Sequence, residues 1–393
     1  MSEFKASGFR DEFGSGGPDL VGITTMTSPH YFVPPSGSTA ERPSSPPPGM
    51  LRFNTDIGRL EVWRNDYWAT ILGESPNLGG GLNGITTHFS TQGTGTRGLF
   101  AGGYTPPSPN SCTDQVDYIT VETLGNAQDF GNLADARHGG GQCADRTRAL
   151  YAGGRGPSTP GGSDTANITF TTIASTGNYA DSSGDLSAAV GARGTSNSTR
   201  GLFGSFIFPY SDTIEYVTIQ SLGNAVDFGN LTETRGYGMA LSSSVRGVFA
   251  GGINNPTNLG TSVIDYVTIS TTGNAQDFGD LYDGNAYESG CANSPTRGVI
   301  AGGTGNNKLI EFFTIATTGN SQNFGNLDTL TGSGKGGVCS TIRGVFGGGL
   351  PSPATNIMEF ITIATTGDAI DFGDLQQAKR ITNSGVSNGH GGL

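Results

Sequence analysis

Lysine is nearly missing from this chain, with four among 393 residues: Lys5, Lys308, Lys335 and Lys379. Charged residues of every kind make up only 14%. The Glu-, Lys- and Arg-rich faces of long surface helices therefore have no raw material, which disfavours helical and α/β enzyme architectures. Acids outnumber bases by 33 to 21, for a net charge of −12. A phosphate-neutralising face needs clustered Lys and Arg, so nucleic acid is not an expected partner. No stretch reaches the roughly 18 apolar residues of a membrane span. Residues 1–10 lack the basic-then-apolar order of a signal peptide, and a reducing cytoplasm is the expected place of synthesis. The four cysteines, Cys112, Cys143, Cys291 and Cys339, form no Cys-x-x-Cys pair. They suit neither a disulfide scaffold nor a zinc ribbon and read as small buried thiols. The four histidines, His30, His88, His138 and His390, fall at unrelated positions, so neither a metal nor a cofactor is expected.

Glycine, in contrast, is abundant. Its 66 residues are about 17% of the chain, against a usual share of roughly 7%, and they keep no collagen-like period of three. The glycines punctuate an internal repeat. The string Thr96-Arg97-Gly98-Leu99-Phe100-Ala101-Gly102-Gly103 recurs at 147–154, 199–205, 245–252, 296–303 and 342–349, with its Arg at 97, 148, 200, 246, 297 and 343. A turn glycine follows at 125, 177, 223, 273, 319 and 367, and then an aromatic in register at Phe130, Phe228, Phe278, Phe324 and Phe372. Six units of about 48 residues thus fill residues 85–393.

Each unit reads as four short strands, a to d. Strand a is Gly-rich and strand b is the Arg-Gly-Val-Phe-Ala-Gly-Gly piece. Strand c alternates, as in Val263-Ile264-Asp265-Tyr266-Val267-Thr268-Ile269, with residues that favour a pleated surface. Thr272-Gly273-Asn274 supplies a tight hairpin turn, and strand d carries Asp277-Phe278-Gly279-Asp280-Leu281. Such a sheet cannot bury both faces alone, whereas six packed face to face around an axis can. The expected fold class is all-β: a six-bladed β-propeller preceded by an extended arm and a small β-meander. Residues 379–386 repeat the strand-a position and are expected to close the ring beside residues 97–103.

The pattern resembles the kelch family: a Gly-Gly doublet ending strand b (Gly251-Gly252), an aromatic in strand c (Tyr266), a second aromatic about a dozen residues later (Phe278), then Leu281, and in the third unit Leu231 with Arg235. The resemblance covers about 310 residues and implies a kelch-like propeller. It departs where kelch repeats place Trp, since this chain has Phe. The second unit has Asp181-Ser182-Ser183-Gly184 at that point, and the third ends strand b in Gly204-Ser205.

The N-terminal part differs. Residues 1–48 show no period and end in Pro43-Ser44-Ser45-Pro46-Pro47-Pro48, an extended arm with a polyproline spacer. Residues 49–72 read as a three-stranded meander with turns at residues 56–58 and 65–66, and residues 73–84 as a Gly-rich linker. The meander carries Leu51-Arg52-Phe53-Asn54-Thr55, Leu60-Glu61-Val62-Trp63 and Trp68. It resembles small modules of tailed-phage structural proteins, including tail-fibre and virion proteins of cyanobacterial phages. That resemblance implies a non-enzymatic virion component, assembled in the bacterial host cytoplasm with other virion proteins and as a homo-oligomer. The arm would be the anchor, through Phe4, Phe9, Phe13, Tyr31 and Phe32. The alternative is an adhesin that recognises a host-surface glycan or protein. A glycan depolymerase ranks third, because no carboxylate pair stands out from the repeat and no catalytic residue is singled out.

Two charges recur with the repeat. The Arg opening strand b (Arg97, Arg200, Arg246, Arg297, Arg343) is matched by an acid eight residues before the turn glycine, at Asp117, Glu215, Asp265, Glu311 and Glu359, with Thr169 in the second unit. A residue present in every blade is read as scaffold, an Arg–acid bridge or an Arg-to-carbonyl bond; the functional alternative is an anion-binding set of arginines. The loops after strand b vary instead, and variation on a uniform scaffold is where binding sits. Tyr104, Arg155, Phe206, Phe208 and Tyr210 are the candidate contacts, with a local hydrophobic plug as the other reading of the Phe206, Phe208 and Tyr210 cluster.

Overall fold

Glycine punctuation and β-branched runs produce strands throughout. The computed structural model describes residues 34–70 and 96–393, apart from residues 45, 48, 57, 65–66, 106–110, 158–163, 208, 283–286, 305–307, 330–332, 350–353 and 382–384. The chain divides into two compact units, Met1–Ser75 and Pro76–Leu393. The expected anchor residues Phe4, Phe9, Phe13, Tyr31 and Phe32, and the linker at 73–84, lie outside the described residues.

The first unit contains one four-stranded sheet. Leu51–Asn54, Arg59–Trp63 and Trp68–Thr70 form the expected antiparallel meander. A fourth strand, Ser36–Gly37, adds to it in parallel, opposite Phe53 and Asn54. The sheet therefore begins inside the segment that composition alone assigns to the arm. Polar bonds hold this edge: Thr39 N donates to Asp56 Oδ2 at 2.8 Å, and Arg52 Nη2 to Ser38 O at 2.9 Å. At the centre lies the fully buried carboxylate of Glu61. It accepts from Asn54 Nδ2 at 3.0 Å and Arg42 Nε at 3.2 Å, with Arg52 Nη1 3.7 Å away. These donors, Arg42 first, hold the Glu61 carboxyl below its usual range.

Among its described residues the second unit contains six successive antiparallel sheets, each ordered a-b-c-d. The fourth is representative: Met239–Ser242, Arg246–Ala250, Val263–Thr268 and Gln276–Asp280. The other b strands are Arg97–Ala101, Arg148–Ala152, Arg200–Ile207, Arg297–Ala301 and Arg343–Gly347. Each is buried beyond its Arg, as expected for a strand covered on both faces. The third sheet has a fifth strand, Ile253–Asn254, paired with the end of its long d strand Val226–Gly236. Strand a of the first sheet is Gly385–Ser387, paired antiparallel with residues 98–100. Pairing beside residues 97–103 is thus present, and ahead of it Arg380 forms an antiparallel bridge with Tyr104. Lys379 pairs with Asp117, and Arg380 N donates to Tyr104 O at 2.9 Å. Beyond this strand, His390 Nε2 lies 3.1 Å from Ala144 O and 3.4 Å from Ser196 Oγ, and Gly391 N donates to Asn293 O.

The core lies between sheets. Met239, Leu241, Val248 and Phe278 of the fourth pack with Ile300, Phe313 and Ile315 of the fifth. Phe100, Ile119 and Val121 of the first pack with Val338, Val345 and Phe372 of the sixth. Close approach of neighbouring a strands explains their glycine: a Cβ on Gly337 would sit 2.1 Å from Cys291 O.

One junction recurs from sheet to sheet. The Gly-Asn turn of one sheet (Gly367-Asp368 in the sixth) docks on strand d of the sheet before it. Gly273 N donates to Phe228 O at 2.8 Å, Ala275 N to Asn230 O at 2.7 Å, and Asn274 Oδ1 accepts from Asn230 N at 3.1 Å. The side-chain bond is present at all six junctions, at 2.8–3.1 Å, including Asn126 of the first sheet on Asp374 of the sixth. Strand d is bulged here: Ile264 faces Gly279 and Asp265 faces Asp277, which leaves Phe278 unpaired and turned into the core. The glycine after Phe is a steric demand. A Cβ on Gly279, whose φ is +143°, would sit 2.7 Å from the Gly319 backbone. Gly279→Ala should therefore cost about 1–3 kcal/mol, read as a fall of several degrees in melting temperature; an unchanged value would show that the turn can yield.

Candidate functional site

The repeated charges resolve into scaffold bonds. Every strand-b Arg reaches a carbonyl of the next sheet at 2.9–3.1 Å: Arg97 to Ile173, Arg148 to Ile219, Arg200 to Ile269, Arg246 to Ile315, Arg297 to Ile363 and Arg343 to Val121. Each guanidinium also lies 4.3–4.9 Å from the centroid of the strand-c aromatic in its own sheet. In five sheets that ring meets the strand-d Phe edge-on, at 5.8–6.1 Å. Of the two scaffold bonds weighed from sequence, the carbonyl bond is the one made.

The strand-c acids have other partners, brought by the connector entering each sheet. Asp265 pairs with Arg235 at 2.8 Å, Glu359 with Lys335 at 2.9 Å and Asp117 with Lys379 at 3.0 Å, all buried. Glu215 accepts from Ser187 N at 3.1 Å and Glu311 from Tyr282 N at 2.8 Å. In the second sheet Thr169 accepts from Arg137 at 2.8 Å. Arg246→Ala should remove the Ile315 bond and the Tyr266 contact, at about 1–2 kcal/mol. It should lower the melting temperature, and Arg246→Lys should recover only part of it.

The variable loops after strand b and the connectors before strand a meet at one end of the strands and enclose a cavity of about 100 Å³. Tyr104 and Arg155, two of the sequence candidates, line it. Tyr210 packs edge-on against Tyr237, also in the lining, at 6.1 Å. Phe206 does not join them: it is 5% exposed and belongs to the core with Leu186 and Val190, because its strand b continues to Ile207 and carries the side chain inward. Phe208 lies outside the described residues. A larger hollow of about 220 Å³ sits at the opposite end of the strands, where Arg343 is already engaged by Val121 O.

Among the lining residues of the loop-end cavity that sequence reasoning missed are His138, Arg193, Tyr237, Glu288 and Arg380. All but Arg193 sit in connectors between strands d and a, whose differences from unit to unit were the available signal. Tyr104 stacks on His138 with centroids 3.7 Å apart. Arg380 pairs with the buried Glu288, and Arg155 Nε lies 3.5 Å from Asp164. Arg193 is 1% exposed; it donates to Gly238 O at 2.9 Å and Ala192 O at 3.0 Å, while its Nη2 has no partner among the described residues. Tyr237 and Glu288 hold left-handed backbone, with φ of 59° and 56°, a strain that clusters at functional sites. Burial pushes the Tyr237 hydroxyl up to about 12. No protein-family model matches the chain, and no curated protein matches it.

His138 is kept neutral. Burial first, then Arg380, Arg155 and Arg193, push its pKa from 6.5 down to about 3. The unfolded chain takes up this proton below about pH 6.5 and the folded chain only near pH 3. The unfolded state thus binds more protons across that window, and stability is lost as pH falls through it. His390, lowered to about 4 by burial, acts with the same sign over a narrower window. The melting temperature should decline from about pH 7 to about pH 4, and the His138→Gln, His390→Gln double variant should show a shallower decline; an equally steep one would place the effect elsewhere.

Proposed function

We propose that this chain is a non-enzymatic structural component of a phage particle, in which the six sheets close into a kelch-like, six-bladed propeller displayed on the surface. What supports closure is that the sixth sheet makes to the first the same Arg-to-carbonyl and turn-to-strand bonds that join every other neighbouring pair, while Gly385–Ser387 completes the first sheet. The structural role rests on the use of the repeated charges: they hold sheet to sheet and leave variation to the loops. Residues ahead of Ser36 are the anchor to other virion proteins, since Ser36 already belongs to the small sheet.

A second reading is favoured by the loop-end cavity: an adhesin that recognises a host-surface glycan or protein through that face. Tyr104 and Arg155, chosen for their place in variable loops, converge there with strained and buried polar residues.

Mass spectrometry of purified particles should detect the chain, and electron microscopy should place it at the surface. Deleting residues 2–33 should leave the two folded units and abolish incorporation. Normal incorporation of that truncated chain would move the anchor into the sheets.

A further inference from the structure

The charges around the loop-end cavity do not balance. Arg155 and Arg380 each have a carboxylate, Asp164 and Glu288. Arg193 has none within 4.0 Å among the described residues, although it is almost fully buried and one of its terminal nitrogens is unpartnered. A buried guanidinium without a close counter-ion is strongly unfavourable, and with Nε and Nη1 engaged by carbonyls the two N–H donors of Nη2 remain to take a carboxylate oxygen. The volume of about 100 Å³ is well below the roughly 300–1,000 Å³ of pockets that enclose a whole ligand, so it fits a single functional group and the adjoining ring edge. Tyr104, stacked on His138, supplies an aromatic surface beside it. His138 is itself held neutral partly by the three surrounding guanidinium groups, which reports a positive local potential.

We infer that the loop-end cavity is a carboxylate subsite that takes the acid group of an acidic sugar, with Arg193 as its principal partner and Arg155 at its rim. The inference rests on the adhesin reading of this face and names its ligand class.

Titration calorimetry of the full chain with sodium glucuronate tests it, with methyl glucoside and inorganic phosphate as the other arms. Glucuronate should bind saturably and methyl glucoside should not. Arg193→Lys, which keeps the charge but removes Nη2, should weaken glucuronate about tenfold, a shift readable in Kd. If that variant fails to fold, Arg155→Gln at the half-exposed rim should weaken binding in the same direction. Phosphate binding as tight as glucuronate, methyl glucoside binding as tight as glucuronate, or no glucuronate binding at all would each overturn the subsite. Labelling by the full chain of a panel of bacterial cells that carry acidic surface polysaccharides separates the two claims. Labelling that glucuronate does not compete overturns the subsite and leaves the adhesin reading. Glucuronate binding without cell labelling overturns the adhesin reading and leaves the subsite.

Discussion

The docking of each turn, Gly-Asn in five sheets and Gly-Asp in the sixth, on the strand d before it is the contact on which the larger unit depends. An outer strand exposes a row of unpaired backbone groups. The turn meets that edge with two backbone donors and one side-chain acceptor, as Gly273, Asn274 and Ala275 do on Phe228 and Asn230. Two features make the approach possible. The bulge turns Phe inward to meet the strand-c aromatic, and the following glycine leaves room for the incoming backbone. The strand-b Arg then ties the same pair of sheets at a second point. No sheet buries its apolar residues alone, because the core groups draw on two sheets at a time; stability is therefore a property of neighbouring pairs.

The buried strand-c acid shows what such a repeat tolerates. Where a cation is present in the connector, the pair is ionic, as for Asp265 with Arg235. Where the connector offers Ser187 or Tyr282, backbone donors serve Glu215 and Glu311. Where the acid is replaced by Thr169, an Arg still arrives and bonds the hydroxyl. The position demands hydrogen bonds before it demands charge, consistent with the cost of a buried group left unpaired. Connectors free to differ in this way are the ones that bring His138, Tyr237, Glu288 and Arg380 to the cavity.

The small unit depends on an analogous device. Glu61 is buried on a central strand, and its carboxylate gathers Asn54, Arg42 and Arg52. Satisfying it draws residues 36–42 onto the meander. A Pro- and Ser-rich composition predicts an extended segment there, yet the open edge of Leu51–Asn54 offers backbone partners that Ser36 and Gly37 accept.

Strand content and the recurrence of the unit were legible along the chain, as was the Arg-to-carbonyl bond as one of two options for the repeated Arg. Periodic glycine and alternating β-branched residues are local signals, and a position repeated six times reveals its structural use without coordinates. Tyr104 and Arg155 stood out for the complementary reason, since they lie where the repeat varies, and both line the loop-end cavity. The partner of each charge was not legible. Recurrence in the same units suggested that Arg and acid could meet, but they face different neighbours: the Arg looks to the following sheet, and the acid receives the connector from the preceding one. Phe206 looked like a loop contact because nothing local announces that its strand runs on to Ile207. The cavity joins residues from Tyr104 to Arg380, nearly 280 positions apart, and only the packing of one sheet on the next brings them to a common end. Local periodicity determined the elements, and the long-range bonds between them decided which side chains face one another.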